Sequence, residues 1–446
     1  MPNCGSHGLS RRHFLFGASA TAASQGLLRA HPDAQVANAA VTPRNSARAC
    51  VFINLSGAPS QLDTFDAKDG PWNPAGLSLD QSPGGLVLSR RLFPQLSSLT
   101  NELCVIRSAA SKEAAHERGQ YTVQTGHAFN PAIAPEVPHI GAVIAREKIT
   151  TGKVPPFLAL NSQAVRGPAF LGGQYSPLSP WPNKDGLYTL QHNFYGGASA
   201  QVFGEKFELL TALDAPLRQA PFSQDMADYT AMYQQARGMM YDEAVDRVFR
   251  FSADDERRYG ANQFGNSLLT ARNAIRARSG AVFMLATLDG WDQHFNMYDA
   301  GNVNSYYRLT ARLDTALGNF LQDLRATGDL ASTLIVVMGE FGRTPGLLNS
   351  RDGRDHYKEA MSVLLAGGGV RGGRVIGATD REARNITDPG WSAGRPVFVE
   401  DIMATMYSAL GIDWTKSITD TPSGRRYSYI VGAAEGEAQP VNEVFG

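Results

Sequence analysis

The stretch from Ser332 to Val370 constrains the fold most strongly, because it places charged clusters beside two predicted buried strands. The strands are predicted at Leu334–Met338 and Ser362–Ala366, two short apolar runs that suit a parallel sheet covered on both faces. Gly339–Pro345 follows the first run, and Asp352–His356 precedes the second. Open α/β sheets bind ligands in loops outside the carboxyl ends of their strands, so these clusters predict a functional site there.

The same order of strand and polar cluster recurs elsewhere in the chain. A strand at Cys50–Leu55 is followed by Asp63, and a strand at Ala281–Leu288 is followed by Asp289, Asp292 and His294. Apolar periodicity predicts further strands at 103–107 and 374–377 and helices at 113–126, 304–327 and 398–410. The alternation of strands and helices predicts an α/β fold with a central, mostly parallel sheet flanked by helices.

Length and composition suit one large domain with an insertion. Of 446 residues, 43% are hydrophobic, and the net charge is -1, which predicts no nucleic-acid partner. No apolar run reaches the roughly 20 residues of a membrane span, so we expect no integral membrane segment after removal of the signal. Residues 41–446 are predicted to form the domain, with 155–278 as an inserted, cap-like region of helices and loops.

Residues 1–40 are predicted to be a twin-arginine signal peptide. Ser10–Leu15 contains Arg11 and Arg12, an apolar segment follows it, and Ala37–Ala39 fits a small-residue cleavage site. The twin-arginine export machinery is therefore a predicted partner, and the mature protein is predicted to be periplasmic or secreted.

The clusters at the strand ends have the composition of a metal site. Carboxylates and imidazoles together suit a divalent cation such as Zn, Mn, Mg or Ca. The predicted ligands are Asp63, Asp289, Asp292, His294, Glu340 and His356. Taken singly, each residue also has a structural explanation: Asp63 could cap a turn, Glu340 could pair with Arg343, and His356 could be a core histidine.

Five motifs resemble the exported bacterial family called domain of unknown function 1501. They are Gly57–Asp66, His116–Tyr121 with Thr125-Gly126, Gly290–His294, Gly339–Pro345 and Gly353–His356. That family is placed in the alkaline-phosphatase and sulfatase superfamily. The resemblance therefore implies an alkaline-phosphatase-like sheet flanked by helices, with a metal site at the strand ends.

The resemblance also implies roles for three further residues. In the sulfatase signature the nucleophile stands nine residues before a Thr-Gly pair, and His116 stands nine residues before Thr125-Gly126. His116 is accordingly expected to be a nucleophile, a general base or an extra metal ligand, and Arg118 or Arg343 to steady the anion. Glu340-Phe341 stands where the superfamily has an Asp-His pair.

Three functions are compatible with these observations. The leading prediction is an exported metal-dependent hydrolase of phosphate or sulfate esters, acting on a small-molecule or glycan ester. The first alternative is a non-catalytic envelope protein that keeps the fold and binds a partner or glycan. The second is a transferase that moves phosphoryl or sulfuryl groups between surface molecules.

Overall fold

The computed structural model describes residues 41–148, 150–162, 165–186, 199–221 and 223–446, so the predicted signal peptide lies outside the described residues. The strands of the described residues are β1 (Ala49–Ser56), β2 (Leu79–Gln81), β3 (Val87–Ser89), β4 (Leu103–Ala109), β5 (Phe157–Leu160), β6 (Phe283–Asp289), β7 (Thr333–Met338), β8 (Gly342–Arg343), β9 (His356–Tyr357), β10 (Met361–Ala366), β11 (Arg374–Ile376), β12 (Ala378–Thr379), β13 (Ile386–Asp388), β14 (Ser417–Ile418) and β15 (Tyr427–Ser428).

The helices follow the apolar periodicity of the sequence. They are α1 (His116–Thr125), α2 (Ile140–Glu147), α3 (Ala200–Leu213), α4 (Ala215–Gln219), α5 (Gln224–Met239), α6 (Glu243–Phe249), α7 (Ala253–Arg258), α8 (Gln263–Arg276), α9 (Tyr306–Thr327) and α10 (Val399–Ala409). The longest, α9, buries Leu309, Leu313 and Leu317 completely. It ends at Gly328, whose φ of 76° is the left-handed conformation that glycine adopts without strain.

Seven strands form the central sheet in the order β11-β4-β10-β7-β1-β6-β5. All of them run in one direction except β10, which is antiparallel to both of its neighbours. The predicted mostly parallel sheet flanked by helices is therefore confirmed. The parallel orientation expected for 362–366 is wrong, because the chain returns from β7 to β10 through the β8–β9 ribbon rather than a crossover helix.

Strand β1 shows how the sheet separates two cores. It is paired on both sides, and its side chains alternate between the two faces. Val51 and Ile53 pack in the core that contains α8 and α9, whereas Cys50 and Phe52 pack in the core that contains α1, α2 and α10. The resulting three layers leave the ends of the strands as the edge where polar loops can gather.

The predicted insertion at 155–278 is partly built into these layers. Within it, β5 pairs in parallel with β6 as an end strand of the central sheet, and α8 packs on α9. The boundaries of a cap-like region stay a prediction. Among the described residues, we find no helix that is both long enough and apolar enough to span a membrane.

Candidate metal centre

Four side chains from three separate segments meet at one edge of the central sheet. We call His116, Asp292, His294 and His356 the His–Asp group. His116 begins α1, Asp292 and His294 follow β6, and His356 lies in the β8–β9 ribbon. Because β10 is antiparallel, the loop before it reaches the same edge as the carboxyl ends of β6 and β7, and this brings His356 to the group.

Close backbone packing positions these segments. In the ribbon, Arg343 lies directly opposite His356. Gly57 has a φ of 102°, and a Cβ there would lie 2.5 Å from the backbone nitrogen of Asp292. A Cβ at Gly119 would lie 3.0 Å from the Glu340 Cβ, so glycine lets α1 approach the segment after β7. Both glycines therefore serve the geometry of this site.

The Nε2 atoms of the three histidines converge on one carboxylate oxygen. Asp292 Oδ1 lies 3.2 Å from His116 Nε2, 3.0 Å from His294 Nε2 and 3.6 Å from His356 Nε2. The Nε2 atoms of His294 and His356 are 3.1 Å apart. Side-chain exposures of 27–30% for the histidines and 46% for Asp292 leave one side of the group open to solvent.

The Nδ1 atom of each histidine contacts an oxygen outside the group. His116 Nδ1 lies 2.6 Å from Glu340 Oε1, His294 Nδ1 lies 2.7 Å from Asp355 Oδ1, and His356 Nδ1 lies 2.8 Å from the carbonyl oxygen of Ala114. A carbonyl or carboxylate oxygen only accepts, so each Nδ1 donates and carries the ring proton. In the neutral rings, each Nε2 then directs a lone pair at the group, as metal-ligating histidines do.

Several distances in the group are short enough for atoms that share a metal ion. A Zn²⁺ ion with bonds of about 2.0–2.1 Å separates its ligand atoms by about 3.3–3.4 Å. Four of the separations within the His–Asp group are 3.0, 3.1, 3.2 and 3.6 Å. His116, Asp292 and His356 form a set whose ligand atoms all lie within 4.8 Å of one another, and His294 is not part of that set. Lone pairs at such distances repel unless a cation or a proton lies between them.

The charges also suit a cation. Three carboxylates touch the imidazoles, namely Asp292, Glu340 and Asp355. The Arg343 guanidinium touches Asp292, and that of Arg351 lies 3.6 Å from Asp355. Three negative charges and two positive charges leave one negative charge, which attracts a cation to the group.

Burial and neighbouring charges set the ionisation of the group. Burial alone would raise the pKa of Asp292, but Arg343 and His116 outweigh it and lower the pKa to about 2. The hydrogen bond to Glu340 raises the pKa of His116. Burial lowers the pKa of His356, and the Arg343 and His116 charges add to that effect. Ionised Asp292 and neutral His356 are the forms that bind metal.

Arg343 is a buried cation beside the group, with its side chain 1% exposed. Three of its N–H groups donate to backbone carbonyls, those of Gly57 (2.6 Å), Ala58 (2.9 Å) and Arg354 (3.1 Å). Its other N–H groups face Asp292 Oδ1 at 2.5 Å and the Nε2 atoms of His294 and His116 at 3.4 and 3.5 Å. The carbonyls and Asp292 therefore fix the plane of the guanidinium and hold its positive charge beside the group.

Other residues predicted for the site lie in different contacts. Asp63 is buried and binds Arg354 Nε at 2.5 Å. Asp289 ends β6 and lies opposite Ser56 in the pairing of β6 with β1. The Arg118 side chain is exposed and pairs with Glu113 at 2.9 Å. None of these contacts belongs to the His–Asp group, so the structure does not bring these three residues into it.

Glu340 and Phe341 lie behind the group. The fully buried Glu340 contacts His116 Nδ1, and it also accepts the backbone N–H groups of Gly57 and Ala58 at 3.1 Å. The Phe341 ring lies 4.9 Å from the ring centres of both His116 and His356 and packs as an apolar wall. Glu340 thus orients a histidine, and the metal-ligand and catalytic roles predicted from the sequence stay predictions.

Two of the three orienting oxygens, those of Asp355 and Ala114, were not among the predicted site residues. Asp355 precedes His356 in the chain, yet it contacts His294 rather than its neighbour. The Ala114 carbonyl carries no side-chain signal at all. Only the Asp-His pairing of residue types at 355–356 hinted that a carboxylate would accompany an imidazole here.

The fold and the site define a class: an α/β protein with a seven-stranded, mostly parallel sheet and a candidate metal centre of three histidines and one aspartate at the strand ends. The chain belongs to the family described as "Protein of unknown function (DUF1501)", whose model matches residues 47–445. The family resemblance predicted from the motifs is therefore confirmed. Among curated proteins, none matches this sequence.

Several solved structures are similar to this chain. A protein in the alkaline phosphatase superfamily from Vibrio parahaemolyticus is 12% identical and aligns over 83% of this chain and 69% of its own, with a TM-score of 0.36. The PsFucS1 sulfatase from Pseudoalteromonas sp. is 12% identical over 90% and 73%, with a TM-score of 0.38. A phosphonate monoester hydrolase from Silicibacter pomeroyi is 14% identical over 90% and 77%, with a TM-score of 0.40. These TM-scores are too low for the likenesses to support an argument about activity.

Proposed function

We propose that this protein is a metal-dependent hydrolase of phosphate or sulfate esters, with the His–Asp group as its metal centre. The single observation that carries the proposal is the convergence of three oriented Nε2 atoms on Asp292 Oδ1, at distances of 3.0–3.6 Å. A bound divalent cation would supply Lewis-acid polarisation of the ester or lower the pKa of a water molecule.

The chain's own residues have distinct parts in this proposal. His116 is a ligand rather than the nucleophile, because Glu340 holds its Nδ1 and its Nε2 faces Asp292. Arg343 places a positive charge beside Asp292, and this charge steadies the ester anion. The open side of the group, where Asp292 is 46% exposed, admits substrate. Asp63, Asp289 and Arg118 have no part in this set.

The test measures metal content and turnover together. We expect about one equivalent of divalent metal in protein purified without chelators, and turnover of 4-nitrophenyl phosphate or 4-nitrophenyl sulfate. Both should be lost in His356→Ala. His127→Gln is the matched control, since His127 also lies beside a backbone carbonyl oxygen, that of Ser428 at 2.9 Å, but outside the group. Full metal content in His356→Ala would contradict the proposed ligand set.

A second candidate function rests on the position of Arg343. Its guanidinium already places a positive charge beside Asp292, His294 and His116. Arg343 could therefore hold these side chains together in place of a metal ion. The protein would then be a non-catalytic envelope protein that keeps the fold and binds a partner or glycan. A well-folded, metal-free protein that turns over neither ester would favour this candidate. Product analysis with an added acceptor alcohol would distinguish it from group transfer between surface molecules.

Export is proposed on the sequence alone. The Arg11-Arg12 pair and the apolar segment after it support a twin-arginine route to the periplasm or the exterior. Replacement of both arginines by lysine should retain the protein in the cytoplasm, as measured by cell fractionation. Unchanged export would exclude the twin-arginine pathway.

A further inference from the structure

A cavity lies near the carboxyl ends of β1, β5 and β6. It has a volume of about 330 Å³, which is within the usual size of a small-molecule site. We call it the polar cleft and define it by the polar side chains that the argument uses: Asn54, Ser56, Gln120, Ser162, Thr287 and Asp289.

Residues that line the polar cleft are close along the chain to residues of the His–Asp group. Gln120 lies one turn after His116 on α1, and residues four apart on a helix lie on the same face. Ser56 directly precedes Gly57, and its carbonyl accepts the backbone N–H of Trp291 at 3.2 Å. The Trp291 residue is followed at once by Asp292. A molecule that places an ester at the histidines can therefore extend its remaining part into this cleft.

Two amide side chains in the polar cleft leave complementary polar atoms unpaired. Asn54 Nδ2 donates to Gln120 Oε1 at 2.9 Å. This contact leaves Asn54 Oδ1, an acceptor, and Gln120 Nε2, a donor, both buried and without a partner among the described residues. Asn54 is only 5% exposed, so its oxygen cannot be satisfied by bulk solvent. Unpaired buried polar atoms are costly, and a ligand group that both donates and accepts would satisfy both.

The charge of the polar cleft disfavours an anionic ligand. Among the described residues that line this cavity, Asp289 is the one ionisable side chain and none is a cation. An anionic group would be repelled there, and it is better placed beside Arg343. The hydroxyls of Ser162 and Thr287 lie 2.6 Å apart and continue the row of donors and acceptors. Hydroxyl groups match this lining best, because each one donates and accepts at once.

We propose that the polar cleft binds the hydroxyl-rich alcohol part of the substrate, a sugar or polyol whose ester group lies at the His–Asp group. The placement of the ester rests on the proposed function, whereas the binding of the polyol rests on the cleft alone. The substrate class is therefore a phosphate or sulfate ester of a carbohydrate-like alcohol.

The test measures binding without catalysis. Methyl α-D-glucopyranoside, methyl β-D-galactopyranoside and glycerol are titrated into the protein and followed by ligand-observed saturation-transfer NMR. We expect saturable binding of at least one probe, weakened about tenfold or more in Asn54→Leu and in Gln120→Leu, since each change removes hydrogen bonds to a hydroxyl. Gln120 is only partly buried on α1, so its variant is expected to fold even if Asn54→Leu does not.

Asn266→Leu is the matched control. Asn266 is 4% exposed and also has an unpaired Oδ1, but it lies on α8, outside the polar cleft. Its variant should bind the probes as the wild type does. The proposal is overturned if none of the three probes binds saturably, or if folded Gln120→Leu binds them with wild-type affinity. Turnover of 4-nitrophenyl phosphate or sulfate, whose aryl alcohol has no such hydroxyls, tests the proposed ester hydrolysis separately.

Discussion

Glu340→Gln is the most informative single substitution in this protein. Glu340 Oε1 accepts from His116 Nδ1 at 2.6 Å and from the Gly57 backbone N–H at 3.1 Å, and Oε2 accepts from the Ala58 backbone N–H at 3.1 Å. Glutamine keeps the size of the side chain but has one oxygen and one NH₂ group. Either orientation therefore turns a donor toward another donor.

The two orientations have different costs. With its NH₂ group toward His116, glutamine favours the imidazole tautomer protonated on Nε2, which removes a lone pair from the His–Asp group. With its NH₂ group toward Ala58, it leaves a buried backbone N–H unpaired, at about 1–3 kcal/mol, and the bond to His116 loses its charge. Loss of such an orienting contact weakens metal binding about 10- to 100-fold.

The assay is a competition titration of Zn²⁺ and Mn²⁺ against a chromophoric chelator, with wild-type and variant proteins at the same pH. Asp314→Asn is a matched control, because Asp314 is 1% exposed and accepts two consecutive backbone N–H groups, those of Gln95 and Leu96, at 3.0 and 2.8 Å. It touches no histidine of the group. The control should lose stability to urea but keep the wild-type metal affinity.

One result would refute this reasoning about Glu340. If folded Glu340→Gln binds both metals with the wild-type dissociation constant, then the contact to His116 does not orient a ligand. If the wild-type protein itself binds neither metal, the His–Asp group is held by protons and Arg343 instead.

Three further predictions concern stability, turnover and acid sensitivity. Arg354→Met should lower the free energy of unfolding by about 3–5 kcal/mol in urea titrations, because it leaves the buried Asp63 carboxylate without its cation. Adding Asp63→Asn should restore part of this loss. Arg343→Lys should reduce kcat about 10²- to 10³-fold at full metal content, because lysine cannot bond both backbone carbonyls and still place its charge beside the anion. An unchanged kcat would show that Arg343 does not stabilise the anion. Burial lowers the pKa of His139 to about 3, so its neutral side chain contributes fully to stability above about pH 6.5. On acidification from there toward pH 3, the free energy of unfolding should fall by about 1.4 kcal/mol per pH unit. In His139→Asn, which can still cap α2, urea midpoints measured across this range should fall less steeply than in the wild type.

Much of the fold could be read from local sequence. The apolar runs predicted at 50–55, 103–107 and 281–288 coincide with β1, β4 and β6 to within two residues at each end. Helix α9 was equally predictable, because its apolar residues recur at three and four positions. Such patterns depend only on which faces of an element must be buried, and that information is local.

The direction of β10 could not be predicted in this way. Its run of buried residues is the same in either orientation, and only its pairing with β4 and β7 fixes it as antiparallel. This direction decides the site, because it brings His356 to the edge where β6 delivers Asp292 and His294. Strand pairing depends on residues more than twenty positions apart, which no local pattern records.

The sequence by itself determined the residue types of this protein: buried strands, the histidines and carboxylates after them, and the family to which they belong. Only the tertiary structure decided which atoms of those residues face one another. Glu340 contacts His116, Asp63 accepts a hydrogen bond from Arg354, and Asn54 on β1 donates one to Gln120 on α1. The physical reason is that a side chain's partner is set by packing and hydrogen bonding between distant segments, whereas its chemistry is set by its own atoms.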